Sequence, residues 1–218
     1  MFIKQLFLLT NDLAGTRQFY HDLLQVQIVG ETGAHISFKF GNSLLTFFET
    51  SVVQGPFYHF AFSVPNNKLE EALTWASNFI KILSYSASSL IADFKGWNAR
   101  AFYFHDNNQN ILEFITHYDQ EIFNNSSFTV SLISGICEIG VVVPDVRNAC
   151  NILNVDYHIP YFIKGPHLND FSVMGDSNGM LVVSKTGRGW LPTQRASERY
   201  STKLIIEEKT HRQELIFD

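Results

Sequence analysis

A strand, a helix-capping residue and an amphipathic helix follow one another three times along this chain of 218 residues. The three strands and their caps cover 5–12, 59–66 and 138–145, and the capping residues are Asp12, Asn66 (or its neighbour Asn67) and Asp145. Side chains of these types accept hydrogen bonds from the first free N–H groups of a helix. Apolar residues then recur at helical spacing after each cap. The sequence therefore predicts a fold built from repeats of one supersecondary unit.

Short strand-like runs follow each helix, so each unit has the pattern strand, helix and three strands over roughly 50 to 60 residues. This pattern predicts an α+β fold. A polar stretch at 118–127 predicts a boundary, which divides the chain into a domain at 1–118, a linker at 119–134 and a third unit with a C-terminal extension at 135–218. In that extension, runs at 202–207 and 213–217 predict a hairpin, and the turn at 187–190 is expected to dock Trp190 against the third unit.

Composition excludes several classes of function. The net charge is −5 and the pI is about 5.9, with no cluster of Lys and Arg, so a nucleic-acid surface is not expected. The two cysteines, Cys137 and Cys150, are too few for a disulfide framework, which favours a reducing, cytoplasmic location. The apolar start of the chain contains Lys4 and Gln5 and is predicted to be a strand rather than a signal segment. No stretch approaches the length of a membrane span, so no membrane partner is expected.

Two side chains able to bind a metal lie in otherwise apolar strands. His59 begins the run His-Phe-Ala-Phe, and Glu113 lies within Ile-Leu-Glu-Phe-Ile. A charged Glu on a buried strand face is costly unless something neutralises it. A divalent cation shared with the histidine would do so. A hydrogen bond would also do so, since lone buried His and Glu side chains are commonly satisfied in that way.

The repeated βαβββ unit and two motifs resemble the vicinal oxygen chelate superfamily. The motifs are Asp106-x-x-x-Asn110-x-x-Glu113, which closes the second unit, and Phe19-Tyr20-His21-Asp22-Leu23-Leu24 at the end of the first helix. The superfamily includes glyoxalase I, fosfomycin-resistance thiol transferases, extradiol dioxygenases and bleomycin-binding proteins. The resemblance extends over 1–118 and, more weakly, over 135–185.

The resemblance implies that two paired units form a cupped, eight-stranded mixed sheet around a divalent metal ion such as Mn, Fe, Ni or Zn. Ligands would come from the first strand of each unit and the last strand of the second, which are Gln5, His59 and Glu113 here. The sequence departs from the family at the fourth ligand position, where Thr46 stands. The histidine that precedes the aromatic pair in extradiol dioxygenases is missing from 94–96. In the third unit, Val183 stands where Glu113 would be, so no second metal site is expected.

Several side chains are candidates for binding substrate. The period-two positions Phe38, Phe40 and Phe48 could form an apolar wall, although core packing is the alternative for each. The further candidates Trp97, Arg100 and Tyr103 lie in the turn and strand before Glu113. Arg100 could clamp an anionic group or simply be a solvated surface arginine.

These observations leave two main hypotheses for function. The first is a metal-dependent enzyme that chelates a small oxygen-bearing substrate, aromatic ones included, for isomerase or lyase chemistry, thiol transfer or dioxygenation. The second is a metal-free protein that sequesters a small molecule, like bleomycin-resistance proteins. A structural or regulatory role is a third alternative. A homodimer is also predicted, because an odd third unit must cover its open face with the tail, the first domain or a second copy.

Overall fold

The computed structural model describes residues 1–209 and 211–218 and confirms the α+β class. The first unit consists of a strand, a short helix that continues as a π-helix (Gln18–Leu23), and three further strands. Asp12 caps the helix as predicted, because its carboxylate accepts a hydrogen bond of 2.8 Å from the Gly15 amide. The bounds are β1 Phe2–Thr10, α1 Leu13–Arg17, β2 Gln27–Glu31, β3 His35–Phe40 and β4 Ser43–Glu49.

The second unit repeats this order with an extra short strand. Its elements are β5 His59–Ser63, α2 Leu69–Ser77, β6 Ile82–Leu83, β7 Ile91–Phe94, β8 Ala99–His105 and β9 Ile111–His117. The predicted cap is wrong here, because the N-cap of α2 is Lys68 and no side chain caps the helix. Asn67 instead donates to the Asn124 carbonyl at 2.8 Å and so anchors the connection to the third unit.

The third unit contains three strands and is followed by two hairpins. Its elements are β10 Gly135–Val143, α3 Val146–Val155, β11 Phe171–Asp176 and β12 Gly179–Lys185. The first hairpin consists of β13 Gly189–Trp190 and β14 Arg195–Ala196, and the second of β15 Thr202–Glu208 and β16 His211–Phe217. Asp145 caps α3 as predicted. The short strand-like run expected first after α3, at 161–164, forms only an isolated bridge from Tyr161 to Met174. The predicted C-terminal hairpin is confirmed as β15 and β16.

The pairing of the units differs from the expectation. All strands except β13 and β14 join one 14-stranded sheet, and its central path runs β4-β1-β10-β5-β9. β5 therefore pairs with β10 of the third unit, from Gly135 opposite Ser63 to Ile139 opposite Phe60. β1 pairs with β15 of the tail, from Phe2 opposite Glu207 to Phe7 opposite Lys203. The cup is therefore formed by the second and third units, rather than by the first and second.

This arrangement also removes the reason for expecting a dimer. The open edge of the third unit is β10, and β5 of the same chain occupies it. The first unit is continued by the tail hairpin in the same way. Both open edges are therefore covered within one chain. The predicted homodimer is no longer supported by an uncovered edge and remains a prediction.

The core lies between the sheet and the helices and is rich in aromatic rings. Tyr20 of the π-helix contacts Phe38 and Phe47, at 5.0 and 5.4 Å between ring centroids, and Phe40 contacts Phe62 of the second unit at 4.3 Å. Burying one such ring contributes about 2–3 kcal/mol, so these contacts hold the first unit against the second. Within the described residues, no helix is long and apolar enough to cross a membrane.

Candidate metal centre

His59 is oriented by a hydrogen bond to the neighbouring strand. Its Nδ1 lies 3.0 Å from the carbonyl oxygen of Ile111 in β9. A carbonyl can only accept, so Nδ1 carries the proton and Nε2 keeps a free lone pair. Nε2 lies 3.6 Å from Oε2 of Glu113. This backbone hydrogen bond is the usual way in which a metal-binding imidazole is held in one tautomer.

Two carboxylates flank one small residue of β5. Ala61 is the register partner of Glu113 in β9 and of Glu138 in β10. His59, two residues before Ala61, lies on the same face of the strand. One ligand atom from each of His59, Glu113 and Glu138 lies within 4.8 Å of the other two. The small side chain of Ala61 leaves room for this convergence.

Burial and mutual repulsion make the site electrostatically unfavourable without a cation. Burial raises the pKa of Glu113 well above its usual value, the Glu138 charge raises it further, and a hydrogen bond from Tyr103 opposes the rise. Burial lowers the pKa of His59, so this imidazole is neutral and cannot neutralise the carboxylates. Oε1 of Glu138 is buried without a hydrogen-bond partner among the described residues. Such a group calls for an explanation, and a bound ion is one.

The three residues fit a divalent metal ion. A neutral imidazole and two carboxylates form a mixed N/O ligand set suited to Mn, Fe, Ni or Zn. Their two negative charges would balance the charge of the ion. The free lone pair of His59 Nε2 and one carboxylate oxygen from each glutamate are the atoms that such an ion would use.

A cavity of about 440 Å³ opens onto this cluster. Its walls are aromatic, and the tail covers part of it: the Trp190 ring lies 5.1 Å from the His59 ring. Trp190 fits because residue 140 is glycine, since a Cβ there would lie 2.7 Å from the indole. The expectation that Trp190 docks on the third unit is thus confirmed. The lining residues are His59, Phe94, Trp97, Tyr103, Glu113, Glu138, Pro166, Phe171, Val182, Arg188, Gly189, Trp190, Leu191 and Gln194.

The structure brings together four of the residues singled out from the sequence, namely His59, Glu113, Trp97 and Tyr103. It does not bring Gln5 to them: Gln5 lies in β1, opposite Leu44 and Ile205. Glu138 stands at the cluster instead and was missed. The signal was present in the repeat, because Gln5, His59 and Glu138 begin the same strand in the three units. Pairing the second unit with the third would have identified it.

The other candidates lie away from the cavity. Phe38 and Phe40 are buried in the core beneath the helices. The expectation that Phe48 shares their face is wrong: Phe47 points to that core, whereas Phe48 is 40% exposed and contacts Phe7. Arg100 forms an ion pair with Glu70 of α2, on the helix side of the sheet.

The fourth ligand position of this cup is apolar. In the second unit, Glu113 pairs with the residue two places after His59. In the third unit, the corresponding partner of Gly140 is Val182, which lines the cavity. Val183 was expected at this position, but it is buried in the main core on the opposite face of the strand. The expectation was therefore wrong by one residue. A valine at this position supplies no ligand.

The same fold occurs in solved structures. A "putative dioxygenase" from Bacillus subtilis superposes with a TM-score of 0.63 at 15% identity, covering 90% of this chain and 67% of that one. A variant of glyoxalase I from Zea mays superposes with a TM-score of 0.56 at 13% identity, covering 90% of this chain and 70% of that one. No protein-family model and no curated protein matches the sequence. Identities this low show the fold alone, and this fold hosts many activities.

Proposed function

We propose that this chain, which has the vicinal oxygen chelate fold, is a metal-dependent enzyme that acts on a small oxygen-bearing substrate. The observation that carries the proposal is the convergence of His59, Glu113 and Glu138, with ligand atoms within 4.8 Å of one another at a buried cavity. Two carboxylates and a neutral imidazole without a cation would be costly to bury.

His59 Nε2 and the two carboxylates would hold the ion. When bound, such an ion acts as a Lewis acid on a substrate with two adjacent oxygens and stabilises negative charge that develops there. The protein's own groups prepare the site: Ile111 fixes the His59 tautomer, and Tyr103 hydrogen-bonds to Glu113. Trp190 and the other aromatic walls exclude water and orient a flat ligand.

A metal-free binding protein is the second candidate. The aromatic side chains Phe94, Trp97, Phe171 and Trp190 line the cavity, and these are suited to an apolar or aromatic compound with or without a metal. The two candidates differ in metal content. A location in the cytoplasm and a homodimer remain predictions, the second testable by sedimentation at micromolar concentration.

The test is metal analysis of purified protein with matched variants. We expect wild type to bind near-stoichiometric Mn, Fe, Ni or Zn, and His59→Ala and Glu138→Ala to lose it while circular dichroism shows an intact fold. Gln5→Ala is the control and should keep the metal, because Gln5 lies outside the cluster. No metal in wild type, even after incubation with each ion, would refute the enzyme proposal and favour the binding protein.

A further inference from the structure

We propose that Arg188 makes this cavity a binding site for a small organic anion with an aromatic body, the anionic group lying at the guanidinium. This inference rests on the proposed function in one respect, because it takes the same cavity to be the substrate site. It adds the charge and the orientation of the ligand. Neither requires the metal to be present, so the two proposals can fail separately.

The guanidinium of Arg188 has N–H groups available to bind a ligand. Arg188 is the one Lys or Arg among the described residues that line the cavity. Its guanidinium lies 4.1 Å over the ring of Phe171, and Nε is 3.5 Å from Asp170, longer than the about 2.9 Å of an N–H···O hydrogen bond. In the described part of the chain this guanidinium forms no hydrogen bond. Stacking on the ring fixes its plane and leaves its edge free for a carboxylate.

The backbone around Arg188 is held in place. The Ser197 amide donates to the Arg188 carbonyl at 2.8 Å, and the Gly187 amide donates to the Ser197 carbonyl at 2.8 Å. Two residues further on, Trp190 is buried against His59 and Gly140. The arginine therefore starts from a fixed main chain, which lowers the entropy lost when it binds a ligand.

Charge distribution along the cavity sets the orientation of the ligand. Glu113 and Glu138 are buried at the metal cluster and repel an anionic group, whereas Arg188 is about one-third exposed, at the tail side of the cavity. The same cavity is lined by Phe94, Trp97, Phe171 and Trp190, which favour a flat ring. A volume of about 440 Å³ is in the range of small-ligand pockets. The chemistry that matches is an aromatic carboxylate whose ring end points toward the metal cluster.

The tail supplies a matched control residue. Arg195 also stacks on a phenylalanine, with its guanidinium 3.3 Å over the Phe57 ring. It donates to the Gln109 carbonyl at 3.3 Å and does not line the cavity. Loss of Arg195 therefore removes a stacked tail arginine without removing charge from the cavity.

The experiment compares phenylacetate with its neutral analogue phenylacetamide by calorimetric titration. We expect metal-free wild type and Arg195→Gln to bind phenylacetate about tenfold more tightly, the value of one charge-assisted hydrogen bond. Arg188→Gln should abolish this preference, and Asp170→Asn should increase it by freeing the guanidinium. Equal affinities in wild type, a preference that survives in Arg188→Gln, or no binding at about 10 mM phenylacetate would each overturn the proposal.

Repeating the titrations with Zn²⁺ separates this proposal from the proposed function. Zn²⁺ should not remove the preference for the anion, since Arg188 is not a ligand. A preference that depends on Arg188 in a protein that binds no metal would support the anion site and refute the metal-dependent enzyme. Stoichiometric metal without any preference for phenylacetate would overturn the anion site alone.

Discussion

Replacing Glu113 by Gln should stabilise the metal-free protein, which is the opposite of the usual effect of changing a buried polar residue. Glu113 and Glu138 place carboxylate oxygens no more than 4.8 Å apart in the interior. Two charges at that separation repel by about 3 kcal/mol at an effective dielectric constant of 20. Glutamine keeps the shape and removes the charge, and its amide can donate to the free Nε2 of His59. We expect a gain of about 1–3 kcal/mol near pH 8, since part of the repulsion is already relieved by proton uptake.

The sign of the pH dependence follows from the raised pKa of Glu113. A carboxyl whose folded pKa is raised contributes stability that is fully present below the unfolded pKa of about 4.3 and is lost as pH rises toward the folded pKa. Metal-free wild type should therefore lose stability relative to Glu113→Gln as pH rises from about 5 to about 8. Added divalent metal should reverse the order, because it stabilises only the protein that binds it tightly.

The assay is urea unfolding followed by tryptophan fluorescence after dialysis against EDTA, near pH 5 and near pH 8. Glu208→Gln is the control, because Glu208 is an exposed glutamate at the end of β15. That variant should change stability by no more than about 0.5 kcal/mol at either pH. The reasoning would be refuted if the Glu113→Gln protein were less stable than wild type near pH 8. It would also be refuted if the difference in unfolding free energy between the two proteins were the same at both pH values.

Three further predictions concern the surroundings of the site. Gly140→Ala should destabilise the protein by about 1–3 kcal/mol and expose Trp190, because the added Cβ lies 2.7 Å from the indole. Tryptophan fluorescence with the same emission maximum as wild type would contradict this. His117→Gln should weaken metal binding about tenfold, measured by chelator competition. The buried Nε2 of His117 lies 3.6 Å from Oε1 of Glu138, so a small shift on metal binding would let it orient that carboxylate. Unchanged affinity would exclude that role. Asp145→Ala should lower the free energy of unfolding by about 1 kcal/mol, measured by thermal unfolding, because the Asn148 amide loses its 3.0 Å hydrogen bond to the Asp145 carboxylate. Asp145→Asn should keep most of this stability.

Much of the local structure follows from the sequence because it depends on residues close together in the chain, although the cap of α2 was predicted wrongly. Caps such as Asp12 and Asp145 lie beside the amides that they accept from, and alternation of apolar residues marks the buried face of a strand. His59 and Glu113 were recognisable for the same reason, as polar side chains in apolar strands. The α+β class followed from the order of these elements.

The partner of each strand was decided by the tertiary structure. The backbone donors and acceptors at the edges of β1 and β10 are alike, so the sequence of β5 does not determine which of these two strands β5 will pair with. Pairing with β10 places Glu138 beside Ala61 and leaves Gln5 in another part of the sheet. The same pairing brings the tail, with Arg188, over the cup. The ligand types were therefore visible along the chain, but the site exists only because long-range burial, not local pattern, selects the edge that β5 joins.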